Sequence, residues 1–289
     1  SDVTLNRFFA LHVVALPLAL IGLVVAHLLA LHEVGSNNPD GVEIKKNKGA
    51  DGHPVDGIPS HPYYTIKDIM GVAFLLLLFC GVVVFAPTMR GLFLEPANFE
   101  PANRLVTPPE IAPVWYFTPF YAILRAVPNK LAGVGLMGVA VVIFFFLPWL
   151  DRCKVKSIRY RSVWFKVALF SFAASFIVLG YLGMQPPTAP FSESWPIFTI
   201  AVIAALCYLI AMVGSIRNDN IVLIVLVLAF AAGFATLVYM ALKEHGANAL
   251  VNSSRIFSLV YFCYFLFMPF YTRSEQVKAV PDRVTYHAH

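Results

Sequence analysis

The sequence predicts an all-α, polytopic transmembrane protein of about seven spans, and three observations carry that prediction. Of its 289 residues, 59% are hydrophobic and only 13% are charged, where an ordinary soluble domain is about 25% charged. Several apolar stretches reach the roughly 20 residues an α-helix needs to cross about 30 Å of hydrocarbon. No stretch requires a strand. The bilayer, rather than a soluble core, accounts for this composition.

The expected spans are about 10–32, 65–86, 133–150, 163–183, 197–214, 220–242 and 255–271. Loop punctuation separates them, as in Gly35-Ser36-Asn37-Asn38-Pro39 after the first span and Pro186-Pro187 after the fourth. In a membrane chain the net charge of +5 is no signal for nucleic acid; basic residues instead report which face each loop occupies. Lys45, Lys46, Lys48, Arg152, Lys154, Lys156, Arg159, Arg161, Arg217, Arg273, Lys278 and Arg283 fall on one face. The other face has Arg7, Arg90, Arg104, Arg125, Lys130, Lys243 and Arg255. The positive-inside rule therefore places the N-terminus outside and the C-terminus in the cytoplasm, as an odd number of spans requires. Cys80, Cys153, Cys207 and Cys263 lie far apart, three of them in apolar spans, and read as small packing residues without disulfide or zinc spacing.

The first span carries His12 and His27, fifteen residues apart. In a straight α-helix fifteen steps make about four turns plus 60°, so both imidazoles face roughly one side, about 22 Å apart. One helix can then ligate two cofactors stacked across the membrane. Histidine inside a bilayer is costly enough to read as functional, the alternative being a buried His bonded to a neighbouring helix. His32 closes the same span before the Gly35 turn, and the polar, Lys- and Gly-rich stretch at about 33–64 reads as a flexible hairpin with little chemistry. The second span opens at Tyr63-Tyr64-Thr65-Ile66-Lys67-Asp68, with Thr65 expected as N-cap and Asp68 favourable at the positive end of the helix dipole. Two readings stand for these groups: a solvated interface His32 with Asp68 serving only as a cap, or His32, Lys67 and Asp68 meeting at the cytoplasmic interface as hydrogen-bonding and proton-donating groups for a carbonyl ligand. The outer segment from about 88 to 132 is rich in Pro and aromatics, and a loop of that length usually folds for a purpose. The spans at about 193–250 carry ionisable groups only at their flanks and read as lipid-facing packing or a partner surface.

Thr4-Leu5-Asn6-Arg7-Phe8-Phe9, followed by His12, His27, His32 and Gly35-Ser36-Asn37-Asn38-Pro39, resembles the fourth transmembrane helix of cytochrome b and its exit. His61-Pro62-Tyr63-Tyr64-Thr65-Ile66-Lys67-Asp68 resembles the start of the fifth helix. The run from Thr107 to Phe117, with Tyr121-Ala122-Ile123-Leu124-Arg125, is similar to the quinol-oxidation loop. Met268-Pro269-Phe270-Tyr271 and Pro281-Asp282-Arg283-Val284-Thr285 look like the last helix and tail. The resemblance covers residues 1 to about 190 and resumes at about 254, which divides the chain into four parts. Residues 1–32 are the last helix of the haem-binding half, 33–190 the quinone-site loops and C-terminal helices, 191–253 a two-helix insertion without counterpart in the family pattern, and 254–289 the final helix and tail.

The resemblance implies the redox subunit of a bacterial inner-membrane ubiquinol:cytochrome c oxidoreductase, working by the Q cycle. His12 would be an axial ligand of the b haem near the outer face and His27 of the b haem near the cytoplasmic face. His32, Ser36, Lys67 and Asp68 would lie at the quinone-reduction site. Pro113, Val114, Trp115, Tyr116, Phe117 and Tyr121 would line the quinol-oxidation site beside the docking surface of the Rieske iron-sulfur subunit. A cytochrome c-type subunit, lipid and a second copy of the complex are the further partners implied.

Three departures from the family pattern matter. The ligand spacing is fifteen where the family often has fourteen. The Pro-Glu-Trp-Tyr loop reads Pro113-Val114-Trp115-Tyr116, which removes the carboxylate credited with taking a quinol proton and leaves Glu110 as the nearest acid in the loop. The partner imidazoles are expected outside this chain, since His53, His61, His245, His287 and His289 lack the spacing to supply them. The opening Ser1-Asp2-Val3-Thr4-Leu5, without initiator Met or a basic n-region, reads as a chain that starts in mid-protein, a fragment rather than one piece of a split subunit. The rival readings are a scaffold piece that binds no haem without the upstream helices and a secondary transporter, which needs mid-membrane carboxylates that no span supplies. An even number of inserted helices returns the chain to the face it left, so joining Pro190 to about Ser253 is expected to preserve haem and quinol oxidation.

Overall fold

In the computed structural model the described residues are 2–91, 94, 99–101, 105, 106, 112–185, 191–216, 221–243 and 249–284. Among them the only strand-like feature is one bridge between Lys48 and Pro54. Seven helical segments are long and apolar enough to cross a membrane: Asn6–Val34, Ser60–Phe85, Lys130–Leu150, Val163–Met184, Pro196–Gly214, Ile221–Met240 and Leu250–Tyr271. The protein is an all-α polytopic membrane protein, with spans close to those expected from its apolar runs. It divides into two compact units, Ser1–Gly57 with Val280–His289, and Ile58–Ala279.

In the first unit, α1 (Asp2–Ala10) passes through a π-turn at Leu11–Ala15 into α2 (Leu16–Val34). The widening has a local cause. Pro17 has no N–H to give to Val13, and its ring clashes with a carbonyl four residues back, so the chain bonds Leu16 N–H to Leu11 O and opens the turn by one residue. This differs from the straight helix expected. At its far end α2 stops at Gly35, whose φ of 87° suits a residue without Cβ and whose N–H donates to Leu31 O at 2.7 Å.

The loop that follows is organised by Asn38. Its side-chain oxygen accepts from the backbone N–H of Asp40 and Val42, and its amide donates to Val42 O at 2.7 Å. Lys45 Nζ donates to Glu33 O, and the Arg283 guanidinium binds the buried Asp56 carboxylate at 2.8 Å. The expected flexible hairpin is thus a hydrogen-bonded loop pinned by the C-terminal tail.

The second unit comprises α3 (Thr65–Phe85), α4 (Thr118–Ala126), α5 (Lys130–Val142) continuing through a 3-10 turn into α6 (Leu147–Leu150), α7 (Val163–Met184), α8 (Phe191–Gly214), α9 (Ile221–Lys243) and α10 (Ala249–Tyr271). None of the α3 residues is buried. The core forms around α10, which packs on α4, α7, α8 and α9 and buries 72% of its apolar window. Lipid tails are as apolar as Leu, so shape and hydrogen bonds must hold these helices together. Tyr261 OH donates to Ala140 O at 2.8 Å, linking α10 to α5, and the Phe172 ring stacks on Tyr264 at 4.6 Å. Buried hydroxyls bond carbonyls one turn back, as in Ser175 to Ser171 and Thr272 to Met268.

α8 departs from the peripheral role expected of it. Its Ala201, Ala205, Tyr208, Ala211 and Met212 are fully buried, and the helix packs against both α7 and α10. Small residues at about helical spacing let these backbones approach, which composition alone read as lipid-facing. At the other end of α7, Arg161 is 5% exposed and bonds Asp151 and Glu275 at 2.5 and 2.6 Å. Burial opposes its charge, but the two carboxylates overcome that and hold the guanidinium above its ordinary pKa.

Candidate functional site

The first candidate group is the imidazole pair on the Asn6–Val34 span. His12 sits inside the π-turn and His27 in α2, and both side chains are exposed. Among the described residues neither imidazole has a hydrogen-bond or ion-pair partner, and the span buries no residue. An intramembrane imidazole without a protein partner is free to ligate. No group of three or more metal-ligating side chains converges among the described residues.

The second group divides between the units. His32 and Ser36, both exposed, belong to the first, where His32 occupies the last turn of α2 and Ser36 follows the Gly35 stop. Lys67 and Asp68 belong to the second, in the first turn of α3, exposed, with Lys67 Nζ 5.7 Å from the Tyr64 ring centre. Thr65 is not the N-cap expected: its backbone is already helical, and its hydroxyl lies 3.4 Å from His61 Nδ1. A kinked segment at Ser60–Tyr64, extended at His61 (φ −102°, ψ 133°), leads into α3 ahead of the Thr65 signal.

The third group is the most fully built. Val114 O accepts from Phe117 N–H, closing a 3-10 turn at Trp115–Phe117 that leads directly into α4. Thr118 Oγ1 donates to Trp115 O at 2.6 Å and fixes the junction, and Pro119 occupies the first turn of α4, where its missing N–H costs nothing. Thr118, Pro119, Ala122, Ile123 and Ala126 face the core, while Val114, Trp115, Tyr116 and Phe117 are each about half exposed. Pro113 and Tyr121 are partly buried. Arg125 donates to Leu182 O and Gln185 O at the C-terminal end of α7, and its guanidinium lies over the Tyr121 ring at 4.7 Å. Burial lowers the Arg125 pKa, though an Arg stays charged. Glu110 lies outside the described residues.

Three residues that hold this group were not singled out from sequence. Gly183 meets the Thr118 backbone so closely that a Cβ would overlap its carbonyl oxygen, and Gly133 does the same to Leu124 O at 2.5 Å. Arg255 Nε donates to Ala126 O, capping α4, and Nη1 donates to Asn252. A charged residue at the start of an apolar run, after Asn252-Ser253-Ser254, was the available signal for Arg255; the glycines carried none.

Comparison with known proteins points to one family over two stretches of the chain. The model of the N-terminal part of cytochrome b (b6/petB) matches residues 1–94, and that of the C-terminal part (b6/petD) matches residues 101–209. Cytochrome b of Allochromatium vinosum is 45% identical over 293 residues, covering 99% of this chain and 56% of that one. Cytochrome b of Rickettsia typhi is 48% identical over 188 residues, 65% of this chain and 44% of that one. A solved hyperthermophilic respiratory Complex III superposes with a TM-score of 0.66 at 29% identity, covering 94% of this chain and 52% of the other. The chain spans about half the length of the curated relatives it matches. With residues 1–94 and 101–209 matched by cytochrome b models and relatives at this identity, the chain belongs to the cytochrome b family of the bc complexes.

Proposed function

We propose that this chain is the part of a bc-type redox subunit that carries electrons from ubiquinol through two b haems to a quinone-reduction site, coupled to proton translocation. The carrying observation is the pair of unengaged imidazoles, His12 and His27, on one membrane-spanning helix. The donor set fits the group, because neutral imidazole is an axial ligand of haem iron and neither side chain has a competing partner. When bound, haem supplies one-electron chemistry, and the protein supplies orientation and dielectric. His12 and His27 would each hold one haem, together with ligands from outside this segment.

At the outer face, the half-exposed Trp115, Tyr116 and Phe117 offer an apolar wall for a quinol ring, with Pro113, Val114 and Tyr121 beside it. α4 holds that wall in place against α7 and α10. With Val114 where the family has a carboxylate, Glu110 takes the quinol proton. For the cytoplasmic face, the resemblance assigns quinone binding and protonation to His32 and Ser36 at the end of α2 and to Lys67 and Asp68 at the start of α3. The iron-sulfur subunit docks by the outer wall, and the loops rich in Lys and Arg face the cytoplasm. In the complete complex, His12→Leu should abolish the outer-face b haem band and His27→Leu the inner one in reduced-minus-oxidised spectra. Both bands at normal intensity in either variant would reject the assignment.

A further inference from the structure

We infer that the π-turn at Leu11–Ala15, imposed by Pro17, is a register device that brings His12 into line with His27. The inference rests on both imidazoles being haem ligands. In a regular α-helix, residues fifteen apart lie about 60° off one line. Here the Leu16 N–H reaches Leu11 O, five residues back, so five steps cover the rotation that four cover in an α-helix, about 80° per residue. The four steps from His12 to Leu16 take this smaller rotation, and the eleven from Leu16 to His27 are ordinary α-helix. The path then ends about 20° short of four full turns. At about 5–6 Å from the helix axis, the sideways offset between the two side chains falls from about 5–6 Å to about 2 Å.

The cause is written beside the ligand. Pro17 stands five residues after His12, where it blocks the Val13 carbonyl and forces the wide turn into the interval between the two imidazoles. A wide turn on the N-terminal side of His12 would leave the 60° error untouched. Pro17 is thus a positioning residue: it touches neither group and sets the angle between their ligands.

The test uses the complete complex in its membrane, with haem per cytochrome b and reduced-minus-oxidised spectra as readouts. Deletion of Val14 together with Pro17→Ala removes both the extra residue and the cause of the wide turn, leaves fourteen α-helical steps about 40° off line, and should keep both b bands. Deletion of Val24 shortens the α-helical part and keeps the wide turn, putting the imidazoles about 120° apart, and should lose one band. A straight helix would make the two deletions equivalent, so equal spectra overturn the inference. Pro17→Ala should weaken the outer-face band, and deleting Val14 in the same chain should restore it. That restoration separates register from folding damage, and its failure counts against the device even if the Val24 deletion assembles poorly. His12→Leu and His27→Leu run alongside: if they keep both bands, the ligand reading falls and takes this inference with it, whereas loss of bands there with equivalent deletions overturns the register device alone.

Discussion

Gly183→Ala is the sharpest perturbation the packing offers. An added Cβ would overlap the Thr118 carbonyl oxygen and stand 2.7 Å from its carbon and 2.9 Å from its Cβ. Ordinary van der Waals contact begins at about 3.4 Å, and every atom in the way is backbone or Cβ, so α4 must move off α7 by about 1 Å. Overpacking of this kind costs about 1–3 kcal/mol in stability. The larger effect should be functional. Thr118 bonds the Trp115 carbonyl, so the displacement passes directly to the Trp115–Phe117 wall, and a misplacement of about 1 Å can cost about 10²-fold in rate. Quinol-dependent cytochrome c reduction should fall by about 10- to 100-fold, with both b bands intact. Gly180→Ala is the control, one turn back on the same helix, where the nearest atom is Pro119 Cγ at 3.5 Å. If Gly183→Ala matched Gly180→Ala in rate, α4 would not be positioning the quinol wall.

Other perturbations follow from the same contacts. Glu110→Gln should slow quinol oxidation by at least about tenfold without loss of haem, since a proton acceptor contributes about 10²–10⁴-fold; unchanged turnover across the pH range clears Glu110. Glu275→Gln leaves the buried Arg161 charge half-paired and should cost about 3 kcal/mol, measurable as a lower Tm of the complex in detergent. Asp56, held below its ordinary 3.8 first by its hydrogen bond to Arg283, should keep the tail pinned at neutral pH. A carboxyl with a lowered folded pKa contributes its stability above the unfolded value and loses it as pH falls through the folded one. Protection of the tail against hydrogen exchange should therefore disappear only below about pH 3.8, while Asp56→Asn removes it at all pH. Removing residues 191–253 strips α8 from α7 and α10, and should lower accumulation and Tm rather than leave the protein untouched as a peripheral pair would; wild-type amounts would show that the α8 face contributes little.

The spans were legible because apolar length is a one-dimensional signal: each of the seven appears within a few residues of its hydrophobic run. The candidate site residues stand out in the sequence for a related reason, since an imidazole in an apolar run or a Trp-Tyr pair in a Pro-rich loop contrasts with its surroundings. What the sequence concealed is relational. Whether α8 faces lipid or protein depends on which side its alanines meet, and no hydropathy value distinguishes the two, since lipid and Leu are equally apolar. The same holds for Gly183, whose role exists only because Thr118 lies opposite. Pro17 was visible, but its consequence appears only when the hydrogen bond it cannot make is traced to Val13.

These relations converge on α4. Its N-terminal turn is fixed by Thr118 on Trp115 and by the Gly183 contact, its C-terminal end by Arg255 on Ala126, and its outer side by Arg125 on the end of α7. A nine-residue helix is too short to persist in isolation; here three spans and two guanidinium groups hold it. The aromatic side chains at its entrance are nonetheless about half exposed. Tertiary restraint on the backbone beside exposed aromatic rings is an arrangement that favours binding over folding, because the ordering entropy of the wall is settled before a ligand arrives. Cutting either guanidinium contact should therefore raise KM for quinol before it unfolds the span. Arg255→Met, which keeps length and removes the cap, is expected to raise KM while leaving Tm nearly unchanged; an unchanged KM would mean that α4 is held by burial alone.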